Sequence, residues 1–139
     1  MLITVEKVAL LRDAELFSKA PNHVLASVAA IAEEAEFSPG ESFIHQNELE
    51  TDMFLITDGK VRVHRGDDEL AILESGEIVG EMEALSPAPR LASVSAIEPT
   101  RALRISKAAF DEVLATRFEI VKAVVNVLVQ RLRDTALRD

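Results

Sequence analysis

Apolar positions in the first third of the chain recur at helical spacing. Val5, Val8 and Leu11 follow Thr4, which the pattern makes a cap, and Val24, Leu25, Val28, Ala29 and Ile31 fall on one side of a segment opened by Pro21-Asn22. Between them Leu16-Phe17 reads as a buried hook. From about residue 34 the runs shorten and turn residues separate them. A strand at 42–46 follows Ser38-Pro39-Gly40, and strands at 53–57 and 60–65 flank Asp58-Gly59 and read as a hairpin. In the second arm Val61 and Val63 alternate with Arg62 and His64, which puts His64 on the polar side. Further strands are expected at 69–73, 91–97 and 101–105. The last third returns to helix: Ser106 caps 107–115, Thr116 and Glu119 have capping-box spacing, and one long helix runs on to about Arg133. The whole predicts a mainly β sandwich or barrel with helices at both ends.

The long helix is apolar around much of its circumference, with Ile120, Val121, Val124, Val125, Val127, Leu128, Val129 and Leu132. Such a helix wants burial on more than one side. Two readings stay open: a helix packed on its own barrel, or one that also pairs with a second copy as a homodimer.

Composition narrows the class. The 139 residues are 48% apolar and 28% charged, the proportions of a soluble globular protein, and the length suits one domain: helices at 1–33, barrel at 34–105, helices at 106–139. The absence of cysteine excludes a disulfide frame, a thiolate metal site and a cysteine nucleophile. No apolar run reaches the roughly 20 residues of a membrane span. The N-terminus has no signal-peptide pattern, so a cytoplasmic location without membrane contact is expected.

Charge is unevenly spread. Of the 15 basic and 24 acidic side chains, residues 1–100 carry 7 basic and 19 acidic ones, a field that repels phosphate backbones and so disfavours general nucleic-acid binding; none is expected. Within it, Arg90 is the only positive side chain between Arg65 and Arg101, amid eight acids.

Catalytic patterns are missing. His23, His45 and His64 lie on separate segments without metal-ligand spacing, and each reads as a solvated histidine. Neither a nucleophile elbow nor a Gly-rich Lys-Ser/Thr phosphate loop is present. No enzymatic activity, metal or cofactor is expected. The informative stretch is 80–96. Gly80 permits a tight turn, Glu81–Leu85 forms a one-turn helix with free N–H groups, Pro87 and Pro89 stiffen the return, and Arg90 brings a fork suited to phosphate. Glu81 can accept hydrogen bonds from sugar hydroxyls. Together these describe a pocket for a sugar phosphate.

The stretch resembles the phosphate-binding cassette of the cyclic-nucleotide-binding domain family: Gly80-Glu81-Met82, then, nine residues after Glu81, Pro89-Arg90 followed by Ala92-Ser93-Val94. The Ser38-Pro39-Gly40-Glu41 turn and the segment from Phe54 to Val63 are also similar to that family. The resemblance implies a double-stranded β-helix (jelly-roll) barrel and a set of roles. Arg90 pairs with the equatorial oxygen of the cyclic phosphate, and Glu81 takes the ribose 2′-hydroxyl. Backbone N–H groups of Met82, Glu83 and Leu91 complete the phosphate cage, and Gly80 admits the sugar. The final helix, around Val125 to Arg131, closes over the base and reports occupancy to an effector protein. Leu91 lacks the hydroxyl that contacts guanine in cGMP-selective relatives, so the ligand implied is cAMP before cGMP.

Glu83 stands where the family prefers Ala, Ala84 replaces a large apolar residue, and Asn47 and Glu50 stand where relatives often have Gly. If Glu83 faces the phosphate, like charges oppose binding. The alternative is therefore a ligand-free domain of the same fold, acting as a dimerisation or interaction module with Arg90 tied to an internal carboxylate. A transcription regulator is disfavoured because the tail after Arg131 is too short for a DNA-reading helix-turn-helix.

Overall fold

A computed structural model describes residues 1–138, with the side chain of Arg138 and all of Asp139 outside the described set. Helices α1 (Thr4–Asp13) and α2 (Asn22–Ile31), joined through a 3-10 turn at Glu15–Phe17, precede eight strands. These are β1 (Glu33–Phe37), β2 (Ser42–Ile44), β3 (Met53–Asp58), β4 (Lys60–Arg65), β5 (Asp68–Glu74), β6 (Ile78–Val79), β7 (Ser93–Ala96) and β8 (Thr100–Ile105). The short α3 (Glu81–Leu85) separates β6 from β7, and α4 (Lys107–Thr116) and α5 (Phe118–Arg138) follow β8. The strands form two antiparallel four-stranded sheets, ordered β1-β8-β3-β6 and β2-β7-β4-β5, the two walls of a jelly-roll barrel.

The apolar run Met53–Ile56 shows how the layers meet. Side chains alternate across a strand, so Phe54 and Ile56 enter the barrel with Ile44, Val61, Val79 and Val94, while Met53 and Leu55 face the helices. A strand buried on both sides loses polar alternation and reads as continuous. Phe37 and Phe43 stack at 4.1 Å inside the barrel, and each meets Phe54 edge-on. On the helical side Phe17 packs edge-on against Phe110 at 6.0 Å, which joins the 3-10 turn to α4.

Four local expectations are corrected. The strands around Asp58-Gly59 are not a hairpin: β3 pairs with β6 and β8, whereas β4 pairs with β5 and β7 in the opposite sheet. Gly59, at φ 100°, is a corner between walls, packed so closely that a Cβ there would lie 2.6 Å from the Pro99 carbonyl oxygen. Thr4 is the first helical residue rather than the cap, and the Ile3 N–H donates to the Glu6 carboxylate instead. Thr116 caps nothing: it ends α4, and its hydroxyl donates to the Glu112 carbonyl. His64 is not solvated. It is 8% exposed, with Nε2 2.7 Å from Ser95 Oγ and Nδ1 2.8 Å from the Gly66 carbonyl. That carbonyl only accepts, so Nδ1 donates to it, and in the singly protonated tautomer this defines, Ser95 donates to Nε2. Ser42, 2.6 Å from Ser95, then donates in turn. The serine–histidine pair is buried structural glue.

The final helix divides its apolar residues between two faces. Ile120, Ala123 and Val124 are buried in the helical core and Val127 is buried beside them in sequence, while Phe118, Val125, Val129 and Leu132 are exposed.

Candidate functional site

β6 ends at Val79, paired with Phe54, and delivers the chain to Gly80 at the edge of the barrel. Gly80 is left-handed, at φ 82°, and a Cβ there would lie 2.7 Å from the Asp52 carbonyl oxygen and 2.8 Å from Arg90 Nη1. Only glycine meets both conditions without strain. α3 starts at the next residue, its first backbone bond running from the Ala84 N–H to the Gly80 carbonyl. Its other end is held by α4, where Lys107 Nζ donates to the Ala84 carbonyl at 2.9 Å.

Arg90 lies three residues before β7, which starts at Ser93 rather than at the expected residue 91. Its backbone is stapled to the loop after β2: the Arg90 N–H donates to the Glu48 carbonyl, and the Asn47 N–H donates to the Arg90 carbonyl. Asn47 is the one non-glycine residue with positive φ among those described, at 71°, as its side chain tolerates. Glu50 keeps an ordinary backbone, so the strain suggested by its glycine-like position does not arise.

The structure brings Gly80, Glu81, Met82, Glu83, Arg90, Leu91 and Ala92 together around one cavity of about 220 Å3, closed at the back by Ile44, Val63 and Val94. The N–H groups of Met82, Glu83 and Leu91 have no protein acceptor among the described residues, as a helix start and an irregular segment leave them. A second cavity, of about 250 Å3 between α1 and the β1–β8 edge, contains none of these residues.

Two arginine–carboxylate systems meet on α3, an inner one through Glu83, which lines the cavity with Arg90, and an outer one through Glu81, whose partner Arg131 lies outside the lining. In the inner system Arg90 is only 2% exposed. Its Nη1 donates to Glu83 Oε1 at 2.8 Å and to the Gly80 carbonyl at 3.1 Å, and its Nη2 donates to the Asp52 carbonyl at 2.5 Å. Its Nε–H is buried without a hydrogen-bond partner among the described residues, 3.6 Å from Glu50 Oε1. Glu83 therefore points inward, and the internal pairing of Arg90 is with Glu83. In the outer system Glu81 Oε1 is 3.2 Å from Nη1 of Arg131 on α5, and Arg131 also reaches Glu15 at 2.6 Å. Burial works against the Arg131 charge, but the hydrogen bond to Glu15 and the charges of Glu81 and Glu15 outweigh it and raise its pKa.

Beside Arg90, both oxygens of Glu50 engage His45, accepting from its backbone N–H at 2.9 Å and lying 2.7 Å from ring Nδ1. The Glu50 bond raises the His45 pKa above its ordinary value. For Glu50, burial favours the neutral acid, but the His45 bonds and the charges of His45 and Arg90 prevail and lower its pKa. With Glu48 these residues offer three donor atoms within 4.8 Å of one another, a grouping that sequence spacing did not single out.

The family model of the cyclic nucleotide-binding domain matches residues 34–117, the barrel and α4. The chain belongs to that family. Among relatives of this cyclic nucleotide-binding domain, potassium channel KAT1 of Oryza sativa subsp. japonica is 28% identical over 128 residues, covering 89% of this chain and 18% of the channel. A cAMP-dependent protein kinase regulatory subunit of Hypocrea atroviridis is 25% identical over 104 residues, covering 75% of this chain and 22% of the subunit. The chain thus spans about a fifth of the length of these relatives. Among solved structures, the N-terminal domain of a transcriptional regulator from Streptomyces coelicolor A3(2) superimposes with a TM-score of 0.84 at 25% identity, covering 94% of both chains. No helix among the described residues is long and apolar enough to cross a membrane.

Proposed function

We propose that this domain is a non-catalytic sensor that binds a cyclic nucleotide, cAMP in preference to cGMP, between Glu81 and Arg90 and signals through α5. The observation that carries this reading is that a buried guanidinium, three residues whose backbone N–H groups lack a protein acceptor among the described residues and the Glu81 carboxylate line one cavity. That set has the donors a phosphodiester monoanion requires and the acceptor a ribose hydroxyl requires. Leu91, without a hydroxyl, offers guanine nothing to discriminate.

The route to α5 is the Glu81–Arg131 contact. A ribose that takes Glu81 competes with Arg131, so occupancy and the position of α5 are coupled by that difference in contacts. The exposed Phe118, Val125 and Leu132 are spaced by seven residues, the repeat that suits pairing with a second copy. A homodimer joined along α5 would present the coupled helices to an effector protein in a reducing, cytoplasmic setting.

Calorimetric titration with cAMP and with cGMP tests the reading, with Arg90→Ala as control. Heat with cAMP, less with cGMP and none in the variant is expected. No heat and no thermal shift with either nucleotide would leave the second reading, a ligand-free interaction module, which the Arg90–Glu83 pair favours. Sedimentation of the wild type beside Val125→Glu/Leu132→Glu tests the dimer, which the two charges should dissociate.

A further inference from the structure

We infer that Glu83 is a resident substitute for the phosphate, a carboxylate seated on Arg90 that an incoming nucleotide must displace. The inference rests on the proposed nucleotide site and adds the residue that sets its affinity. Arg90 has five N–H donors. The carbonyls of Gly80 and Asp52 hold the guanidinium from the backbone, so its position does not depend on a ligand. Glu83 supplies the matching charge at 2.8 Å, from a side chain only 10% exposed that also lines the cavity. Glu50 adds a second carboxylate at 3.6 Å, shared with His45. The cation is thus already compensated before any ligand arrives.

A phosphodiester monoanion brings no charge that Arg90 lacks. It exchanges one anion for another, or it shares the site with Glu83 against like-charge repulsion in a low-dielectric pocket. α3 is tied at both ends and does not turn freely as a body, because Arg90 and the Ala84 N–H both donate to the Gly80 carbonyl and Lys107 clasps the Ala84 carbonyl. What can move is the Glu83 side chain, toward the mouth of the cavity. The domain accordingly answers only to high nucleotide concentration, and neutralising residue 83 lowers the threshold.

The test is calorimetric titration of the full chain with cAMP in wild type, Glu83→Gln and Glu83→Ala. Glu83→Gln keeps the size and a hydrogen-bonding group without the charge, and its melting temperature checks that it folds if the alanine variant does not. Glu83→Gln binding at least about tenfold tighter than wild type supports the inference. Wild type binding as tightly as Glu83→Gln, or more tightly, overturns the inference and leaves the sensor reading standing. No binding by any of the three proteins overturns both.

Discussion

Arg90 with Glu83 and Arg131 with Glu81 are the same chemical pair formed twice on α3, an inner one lining the cavity and an outer one beside it, and their surroundings differ. The inner pair is sealed, with side chains 2% and 10% exposed, and backbone carbonyls fix the guanidinium. The outer pair is 37% and 15% exposed, and its arginine is shared with Glu15. Burial makes the first pair expensive to break from one side, because the abandoned carboxylate cannot be rehydrated. Exposure makes the second weak and exchangeable. The buried pair is the harder of the two to break from one side, and the exposed pair the easier.

The strongest way to break that contrast is Arg90→Ala. It leaves Glu83 buried without its cation and strips the Gly80 and Asp52 carbonyls of a donor, so stability in urea should fall by about 3–5 kcal/mol. Replacing Arg90 and Glu83 together by leucine should recover most of the loss, since a buried pair is worth little against well-packed apolar groups. A loss below about 1 kcal/mol in Arg90→Ala would mean that the inner pair behaves like a surface pair.

Gly80→Ala tests the turn ahead of the two pairs. At φ 82°, with contacts of 2.7 and 2.8 Å awaiting a Cβ, the variant must strain its backbone and push Asp52 or Arg90 aside. A loss of roughly 1–3 kcal/mol is expected in the same denaturation experiment. A neutral outcome would show that α3 can shift as a unit, and the confinement of Glu83 would lose its basis.

Arg131→Ala should do far less to global stability, about 0–1 kcal/mol, and that small effect should shrink further in high salt. Its local effect should be larger. Amide exchange in the last three turns of α5 should quicken, because the ties to Glu15 and Glu81 are gone. Unchanged exchange would separate α5 from the pocket and remove the proposed route of signalling.

These contrasts explain which features could be read from the sequence. The barrel and its flanking helices were legible because turn residues, short apolar runs and the 80–96 pattern all agree. The β3–β4 corner was misread because Asp58-Gly59 has hairpin chemistry, while the choice of sheet is made by Met53–Ile56 being apolar on both faces. His64 was misread because its partner, Ser95, is 31 residues away. The cavity-lining set from Gly80 to Ala92 could be named because it is nearly contiguous. Glu83 was visible as a misfit, yet its inward direction depends on Arg90 being pinned by the Asp52 carbonyl, a contact 38 residues apart. The Glu15–Arg131 tie, 116 residues apart, leaves no local signal at all.

The smallest expected effect sharpens the inner pair. Glu50 lies between His45 and the Nε of Arg90, with Glu48 also acting on the ring and Glu83 on the far side of the guanidinium. Because the Glu50 bond raises the His45 pKa, His45 contributes stability that is fully present below its unfolded pKa and is lost as pH rises through the folded value. Glu50, held low, contributes stability that is lost only as pH falls through its own folded value. The melting-temperature gap between wild type and His45→Ala should therefore be widest near about pH 5.5 and close toward about pH 8, and it should be small because the ring is half exposed. Once His45 is neutral, the Glu50 charge is compensated by Arg90 alone. Nucleotide affinity should then weaken slightly over the same pH interval in wild type and stay level in Glu50→Gln. A pH trend that persists in Glu50→Gln would place the titrating group elsewhere and detach His45 from the pocket.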